Sequence, residues 1–273
     1  MQGAPSRTAF SVAGRRAAHQ ILDRPLVFED PLAVRIVGGD PDLNDNAMSR
    51  ALRAFMVVRS RYAEDQLALA AARGVRQYVI LGAGLDTFGC RNPFGVRVFE
   101  VDHPATQAWK RELLDRAQII PPDSLAFIAV DFERDDLASS LAASGFDFDE
   151  PAFFAWLGVT PYLTREAFDR TLAFLSRNAP GSAVVFDWCI LPSMLGERER
   201  MALEALSARV ASAGEPFQLF FDPAGLESAL RSAGFQQIET LGRDEINQRY
   251  FANRADGLYV PGSAARLTCA VRV

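Results

Sequence analysis

The spacing of apolar and polar residues changes twice along the chain, and each change predicts a different kind of structure. In residues 1–75, apolar side chains recur at intervals of three and four, which places them on one face of a helix. This region is therefore predicted to be helical, with a loop at 38–46. Asp30-Pro31 is typical of the beginning of a helix, and Gly74 is typical of the end of one.

Short apolar runs replace this spacing after residue 75. Five of them predict buried strands, at 77–82, 96–102, 125–131, 151–158 and 182–188. Stretches with helical spacing lie between them, for example at 105–117 and 164–179. Buried strands that alternate with helices are typical of a parallel sheet covered on both faces. We therefore predict the α/β class, with a doubly wound, mostly parallel, Rossmann-like sheet.

The alternation of strands and helices stops near residue 190. Residues 190–214 and 222–235 have helical spacing, and the apolar runs at 235–242 and 265–273 predict a closing antiparallel pair of strands. No repeat or linker divides the chain, so we expect a single domain. Its predicted parts are a helical cap (1–75), a core (76–189) and a late helical insertion with closing strands (190–273).

Composition restricts the partners that such a domain can have. Of the 273 residues, 49% are apolar, which is enough for a large core, and the formal net charge is −5. Binding to nucleic acid or to an anionic membrane needs a basic surface, and no run of Lys and Arg stands out in the sequence. We therefore expect neither nucleic acid nor a membrane as a partner.

The cysteines and the N-terminal residues bear on metal binding and location. Cys90, Cys189 and Cys269 are too widely spaced for a disulfide framework or a zinc site, so no metal is expected. The first residues lack the apolar stretch of a signal peptide, and no segment approaches the ~18 apolar residues of a membrane span. A cytoplasmic protein is expected. The sequence does not determine the oligomeric state, and a homodimer is compatible with it.

Two glycines, Gly82 and Gly84, follow the first predicted strand. Glycine costs backbone entropy there, so either a tight turn or a main chain that lies against a ligand must require it. In open α/β sheets, ligands bind beyond the carboxyl ends of the strands. A dinucleotide fingerprint would have a third glycine where this chain has Thr87. This difference weakens the hypothesis of an NAD(P)-dependent oxidoreductase, which we keep as the alternative.

The next two predicted strands end in acidic residues. Glu100 and Asp102 end the second strand, where a carboxylate can accept hydrogen bonds from the hydroxyls of an adenosine ribose. Asp131 and Phe132 end the third, where a carboxylate can bind the adenine amino group and an aromatic ring can flank the base. Together with the glycine turn, these residues indicate a pocket for an adenosine-type ligand.

The same residues lie within longer stretches that resemble a known family. These stretches are 59–67, 79–91, 98–104, 129–136, 156–164, 180–188, 214–235 and 249–258. In them the chain resembles the class I S-adenosylmethionine (SAM)-dependent methyltransferases, in the branch that includes leucine carboxyl methyltransferases and bacterial polyketide O-methyltransferases. The resemblance covers nearly the whole chain. It implies a seven-stranded sheet, SAM as the cofactor and a small-molecule acceptor.

The resemblance also implies which residues bind the cofactor. In the family, an arginine in the helix before the first strand holds the SAM carboxylate; here Arg59 matches best, with Arg61 as the alternative. The other implied residues are Gly82 and Gly84 at the methionine portion, Asp102 at the ribose, and Asp131 and Phe132 at the adenine. One position departs from the carboxyl methyltransferases: Leu157 stands where they often have a glutamate, which disfavours a protein-phosphatase substrate.

The sequence says less about the methyl acceptor. Tyr162 follows the fourth strand and would wall the acceptor pocket, and His19 in the cap is a candidate general base, ahead of His103. Asp187, at the end of the fifth strand, is a further candidate to face the acceptor. Because neither histidine is a convincing base, we expect O-methylation of a carboxylate or an acidic hydroxyl on a small molecule, of polyketide type. A SAM-binding protein without methyl transfer, in a regulatory or cyclisation role, is the alternative.

Overall fold

The computed structural model describes residues 6–39, 41, 43–131, 135–212 and 214–273. The N-terminal region forms the helices α1 (Arg7–Leu22), α2 (Ala33–Ile36) and α3 (Ala47–Ala72), which confirms the predicted helical cap. A side chain caps each of the two long helices: Ser6 accepts a hydrogen bond from the Ala9 N–H, and Asn46 accepts one from the Ser49 N–H. Gly74 follows the end of α3 at a φ of +102°, as predicted for a helix end.

Seven strands form one sheet in the order β3-β2-β1-β4-β5-β7-β6. Their bounds are β1 (Gln77–Leu81), β2 (Arg97–Asp102), β3 (Leu125–Ala129), β4 (Ala152–Trp156), β5 (Ala183–Cys189), β6 (Phe235–Leu241) and β7 (Ala265–Arg272). Strand β7 is antiparallel to β5 and β6, and the other neighbouring strands are parallel. The predicted fold class and the closing antiparallel pair are therefore confirmed. The chain reverses its winding direction between β1 and β4, where a crevice opens at the carboxyl ends of the strands.

The remaining helices are α4 (Pro104–Arg116), α5 (Leu137–Ala143), α6 (Arg165–Leu175), α7 (Glu197–Ser212), α8 (Pro223–Ser232) and α9 (Arg243–Tyr250). The late helical insertion corresponds to α7 and α8. Helix α9 has no signal in the sequence, because Ile246 is the one buried residue of its eight and no apolar stripe marks it. None of the helices in the described residues combines the length and hydropathy that crossing a bilayer requires.

Alternate side chains of the central strands pack into two clusters, one on each face of the sheet. In β1, Tyr78 and Ile80 pack in the cluster under α3, whereas Val79 and Leu81 pack in the cluster formed with α6 and α8. All five residues of β1 are buried, as expected for a parallel strand covered on both faces. This packing fixes the strand ends from which the candidate site residues project.

Helix α1 lies across the carboxyl end of β1. Its Ala13 packs in a small cluster with Leu85, which follows β1, and with Leu114 of α4. The approach is close, since a Cβ added at Gly84 would lie 3.2 Å from the Cβ of Ala9. The cap therefore covers the edge of the sheet at which ligands of this fold class bind.

Candidate active site

A cavity of about 420 Å³ lies at the carboxyl ends of the central strands, where the winding direction reverses. Residues that follow β1 to β4 form its floor, and α1 and α3 contribute the facing wall. Most of the predicted cofactor residues line it: Arg59, Gly82, Gly84, Asp102 and Asp131. Tyr162 lines it as well. The structure thus brings together, in one cavity, predicted residues from as far apart in the sequence as Arg59 and Tyr162.

The turn after β1 requires both of its glycines. Gly82 has a φ of +70° and Gly84 a φ of +50°, conformations that side chains rarely permit. A Cβ at Gly82 would also lie 2.4 Å from Cγ2 of Val159, which is closer than carbon atoms can approach. Both glycines also line the cavity, so a ligand can contact the main chain at this turn.

Asp102 connects the end of β2 to the glycine turn. Its Oδ2 accepts a hydrogen bond from the Gly84 N–H, and its Oδ1 accepts one from the His103 N–H at 2.6 Å. Burial raises the pKa of Asp102, whereas these two donors act against the rise. A carboxylate has about four acceptor positions, so capacity remains for the two hydroxyls of a ribose. The neighbouring Glu100 is buried instead against Lys110 and is not part of the cavity wall.

Arg59 is held by the ends of two other strands. Its Nη1 lies 3.0 Å from Oδ2 of Asp187, and both side chains are buried. The second oxygen of Asp187 accepts a hydrogen bond from the Gly158 N–H, at 2.5 Å. A Cβ on Gly158 would lie 2.8 Å from Nη2 of Arg59, so the glycine makes room for the guanidinium. Arg61, the alternative to Arg59, is half exposed, pairs with Asp65 and does not line the cavity.

A second arginine, Arg16 of α1, lines the cavity without any signal in the sequence. Its Nη1 lies 2.9 Å from Oδ2 of Asp86, and its Nη2 pairs with the buried Asp30 and hydrogen-bonds Thr87. Burial disfavours the charged form of Asp86, yet the charges of Arg16 and Arg91 lower its pKa to about 2. Asp86 is therefore ionised at neutral pH. Asp30 serves this ion pair rather than the helix-capping role predicted for it, since α2 has no side-chain cap.

Thr87 has a structural role that accounts for the missing third glycine. Its hydroxyl donates to Oδ1 of Asp30 at 2.6 Å and accepts from Arg16, which joins the glycine turn to α1. The residues that follow form a three-residue 3₁₀ turn, Phe88–Cys90, rather than the helix whose N-terminus binds a pyrophosphate in dinucleotide sites. The turn therefore lacks the features that an NAD(P) site requires.

His19 does not reach the cavity, which corrects the expectation that it is a candidate base. Its side chain is fully buried, and its Nδ1 lies 2.7 Å from Oδ2 of Asp23. Its Nε2 accepts hydrogen bonds from the N–H groups of Val27, at 3.0 Å, and Phe28, at 3.3 Å. Both ring nitrogens are engaged, so His19 stabilises the connection between α1 and α2. His103 does line the cavity, beside Asp102, and its side chain caps α4.

The lining of the cavity also includes Tyr162 and a segment that follows α7. Gln218 donates from its N–H to the Pro161 carbonyl at 2.7 Å and from its side chain to the Tyr162 carbonyl at 2.8 Å. The rings of Tyr162 and Phe217 are in edge contact, 5.2 Å apart. Burial raises the pKa of Tyr162 to about 12, so its hydroxyl keeps its proton at neutral pH. Glu215, from the same segment, lines the cavity as well; it lies in the stretch 214–235 that resembles the family, but the sequence gives it no role of its own.

The remaining predicted positions complete the lining. Asp131 follows β3 and faces the cavity, whereas Phe132 lies outside the described residues. Leu157, where the carboxyl methyltransferases often have a glutamate, contributes an apolar surface. Among the residues that the structure describes, no three His, Cys, Asp or Glu side chains are grouped to hold a metal ion.

Comparison with known proteins points to one family. The family model of the leucine carboxyl methyltransferases matches residues 9–176. The Bacillus subtilis protein "Putative S-adenosyl-L-methionine-dependent methyltransferase YktD" is 32% identical, over 93% of this chain and 93% of its own length. The Streptomyces coelicolor protein "Putative S-adenosyl-L-methionine-dependent methyltransferase SCO7813" is 36% identical, over 75% of each chain.

Solved structures share the fold. A structure titled as a "putative methyltransferase" from Thermobifida fusca superimposes with a TM-score of 0.61 at 17% identity, covering 99% of this chain and 96% of its own. The magnesium protoporphyrin IX methyltransferase from Synechocystis, solved with bound S-adenosylhomocysteine, gives a TM-score of 0.52 at 14% identity, covering 88% and 92%. On the family match and the sequence identities, this chain belongs to the leucine carboxyl methyltransferase family and is a SAM-dependent methyltransferase, with SAM as its cofactor.

Proposed function

We propose that the protein is an O-methyltransferase that transfers the methyl group of SAM to a carboxylate or an acidic hydroxyl of a small molecule, of polyketide type. The observation that carries this proposal is the cavity of about 420 Å³, which the cofactor residues and the cap line together. Its volume is in the range of small-molecule sites. Helix α1 lies over it, so the acceptor has to fit beneath the cap, which disfavours a protein surface as the acceptor.

The residues in the cavity fit SAM. Main chain at Gly82 and Gly84 leaves room for the methionine portion, and Asp102 has acceptor capacity for the ribose hydroxyls. Asp131 is proposed to bind the adenine, with Phe132 beside it. Arg59 is proposed to bind the cofactor carboxylate, while its pairing with Asp187 fixes the guanidinium in position. Arg16 is a second cation in the same wall, and its pair Asp86 offers a negative charge to a cationic sulfonium.

Bound SAM supplies an activated methyl group, and transfer forms an O–C bond as the C–S bond breaks and its electron pair goes to sulfur. The contribution of the chain is then to align the acceptor oxygen with that bond and to exclude water. Alignment of two bound reactants is worth effective molarities of about 10⁵–10⁸ M, or ~7–11 kcal/mol of the barrier. We propose that Tyr162 walls the acceptor pocket and, because its hydroxyl stays protonated, orients the acceptor as a hydrogen-bond donor.

The test is a product screen on the purified protein. SAM is incubated with a panel of small carboxylic acids and of phenols and enols, and products are read by mass, while equilibrium binding compares labelled SAM with NADH. The proposal expects binding of SAM in preference to NADH and a product heavier by one methyl group. If SAM binds and no acceptor gains a methyl group, a SAM-binding protein without transfer replaces the proposal.

A further inference from the structure

The segment 214–218 is anchored to the cavity wall by main-chain hydrogen bonds. The N–H of Glu215 donates to the Val210 carbonyl at 3.1 Å, and the N–H groups of Gln218 and Leu219 donate to the Pro161 carbonyl at 2.7 and 3.2 Å. The segment is therefore held at both ends, by α7 and by the turn before Tyr162. Side chains on it have defined positions relative to the cavity.

Glu215 has an unusual environment for an acidic side chain. Its Oε2 is buried and accepts no hydrogen bond from any residue that the structure describes. Glu215 nevertheless lines the cavity, together with Tyr162, Arg59 and Gln218. A buried carboxylate oxygen without a donor is unfavourable, so such oxygens in proteins usually have a partner that the chain itself does not provide. The missing donor is expected to come from a molecule in the cavity.

The charges around Glu215 restrict what that donor can be. Arg59 and Arg16 line the same cavity, but they pair with Asp187 and Asp86, and no residue that the structure describes forms an ion pair with Glu215. A carboxylate acceptor is ionised at neutral pH and therefore offers no proton to the unpartnered oxygen. A hydroxyl acceptor offers an O–H donor to the unpartnered oxygen. The two acceptor classes in the proposed function are therefore not equivalent in this cavity.

We infer that Glu215 is a catalytic residue, the general base for a hydroxyl acceptor, which makes an acidic phenol or enol the substrate class. This inference rests on the proposed function. In the step, the acceptor O–H bond breaks and its proton goes to the carboxylate of Glu215. The freed electron pair of the oxygen forms the new O–C bond with the methyl carbon, and the C–S bond breaks toward sulfur. The products are the methyl ether, S-adenosylhomocysteine and protonated Glu215, which returns its proton to solvent.

The experiment compares Glu215→Gln with the wild type on matched acceptors. A series of phenols of decreasing pKa and a series of carboxylic acids are each assayed at saturating SAM. Glu215→Gln is expected to lower kcat on weakly acidic phenols by roughly 10²–10⁴-fold, the usual contribution of a general base. The loss should shrink as the phenol becomes more acidic, because an acceptor that is already ionised needs no base. The affinity for SAM should stay as in the wild type.

Two further variants test whether the effect of Glu215→Gln comes from the loss of a base. Glu204→Gln changes an exposed glutamate of α7, whose partner Arg200 is 3.8 Å away, and should leave every rate unchanged. Glu215→Ala should lose transfer to phenols and regain part of it with added acetate or formate, because a small carboxylate can occupy the vacated space. Rescue of this kind is not expected if Glu215 only supports the loop.

The outcomes separate this inference from the proposed function. Equal rates for Glu215→Gln and wild type on phenols, or a wild type that methylates carboxylic acids alone, would overturn the role of Glu215 and leave an O-methyltransferase. A wild type that binds SAM and methylates no acceptor would instead overturn the proposed function itself.

Discussion

At the scale of single residues, the cofactor side of the cavity depends on a few positions where a side chain is either required or excluded. Asp102 is required because its carboxylate faces the cavity with acceptor capacity left over. Gly158 is a position where a side chain is excluded, because the guanidinium of Arg59 occupies the space of its Cβ. Each position yields a prediction that separates ligand binding from stability.

Asp102→Ala should weaken SAM binding by about 1–3 kcal/mol, because the ribose hydroxyls lose their acceptor. Titration calorimetry with SAM measures the change. Asp169→Ala on α6, where an exposed carboxylate pairs with Arg165, is the control and should bind as the wild type does. Equal affinity in Asp102→Ala and the wild type would remove the ribose assignment.

Gly158→Ala should both destabilise the fold and weaken SAM binding. The φ of +69° strains an alanine by about 1–3 kcal/mol, and its Cβ would displace Arg59. Gly257→Ala is a matched control, because its φ is +64° and a Cβ there meets no atom within 4 Å. Urea unfolding should find both variants destabilised, Gly158→Ala more so because Arg59 is displaced as well, whereas calorimetry should find lost SAM affinity in Gly158→Ala alone. Lost affinity in both would assign the effect to backbone strain rather than to Arg59.

At the scale of elements, buried ion pairs join the helices of the cap to one another. Asp23, at the end of α1, binds Arg53 of α3 through two hydrogen bonds of 2.7 and 3.0 Å, and also His19. Burial disfavours the charged form of Asp23, but the hydrogen bonds from His19 and Arg53 prevail and hold its pKa at about 2. Helix α1 is therefore attached to α3 through a carboxylate that has to be ionised.

This attachment predicts a loss of stability in acid. The pKa of Asp23 is lower in the folded protein than the ordinary value near 3.9, so its contribution is complete above about pH 4 and is lost as the pH falls toward about 2. The contribution is about 2 kcal/mol. Urea unfolding between about pH 5 and pH 2 measures it. In Asp23→Asn the free energy of unfolding should fall less steeply over that window, although Asp86, with a similarly low pKa, keeps part of the slope. An unchanged slope would contradict the role of Asp23.

At the scale of the whole molecule, the sequence predicts those features that a short stretch of residues determines by itself. The apolar runs of the core strands, the glycine turn and the acids at the strand ends each occupy a short continuous stretch, and Asp102 could be placed at the cavity on that basis. Arg16 and Glu215 could not, because they reach the cavity through contacts made elsewhere: Arg16 pairs with Asp86, 70 positions away, and the segment of Glu215 is anchored to Pro161. The prediction that His19 is a base is wrong for the same reason, since the sequence of a helix in the cap does not reveal which of its faces is turned to the cavity.

Our central proposal is that the cavity at the ends of β1 to β4 binds the adenosyl group of SAM. The most direct test is a crystal structure of the protein with S-adenosylhomocysteine. We predict that its ribose hydroxyls hydrogen-bond Asp102, that its adenine lies by Asp131 and that its carboxylate approaches Arg59. A cavity closed by repacked side chains, or an adenosyl group bound elsewhere on the protein, would contradict the account.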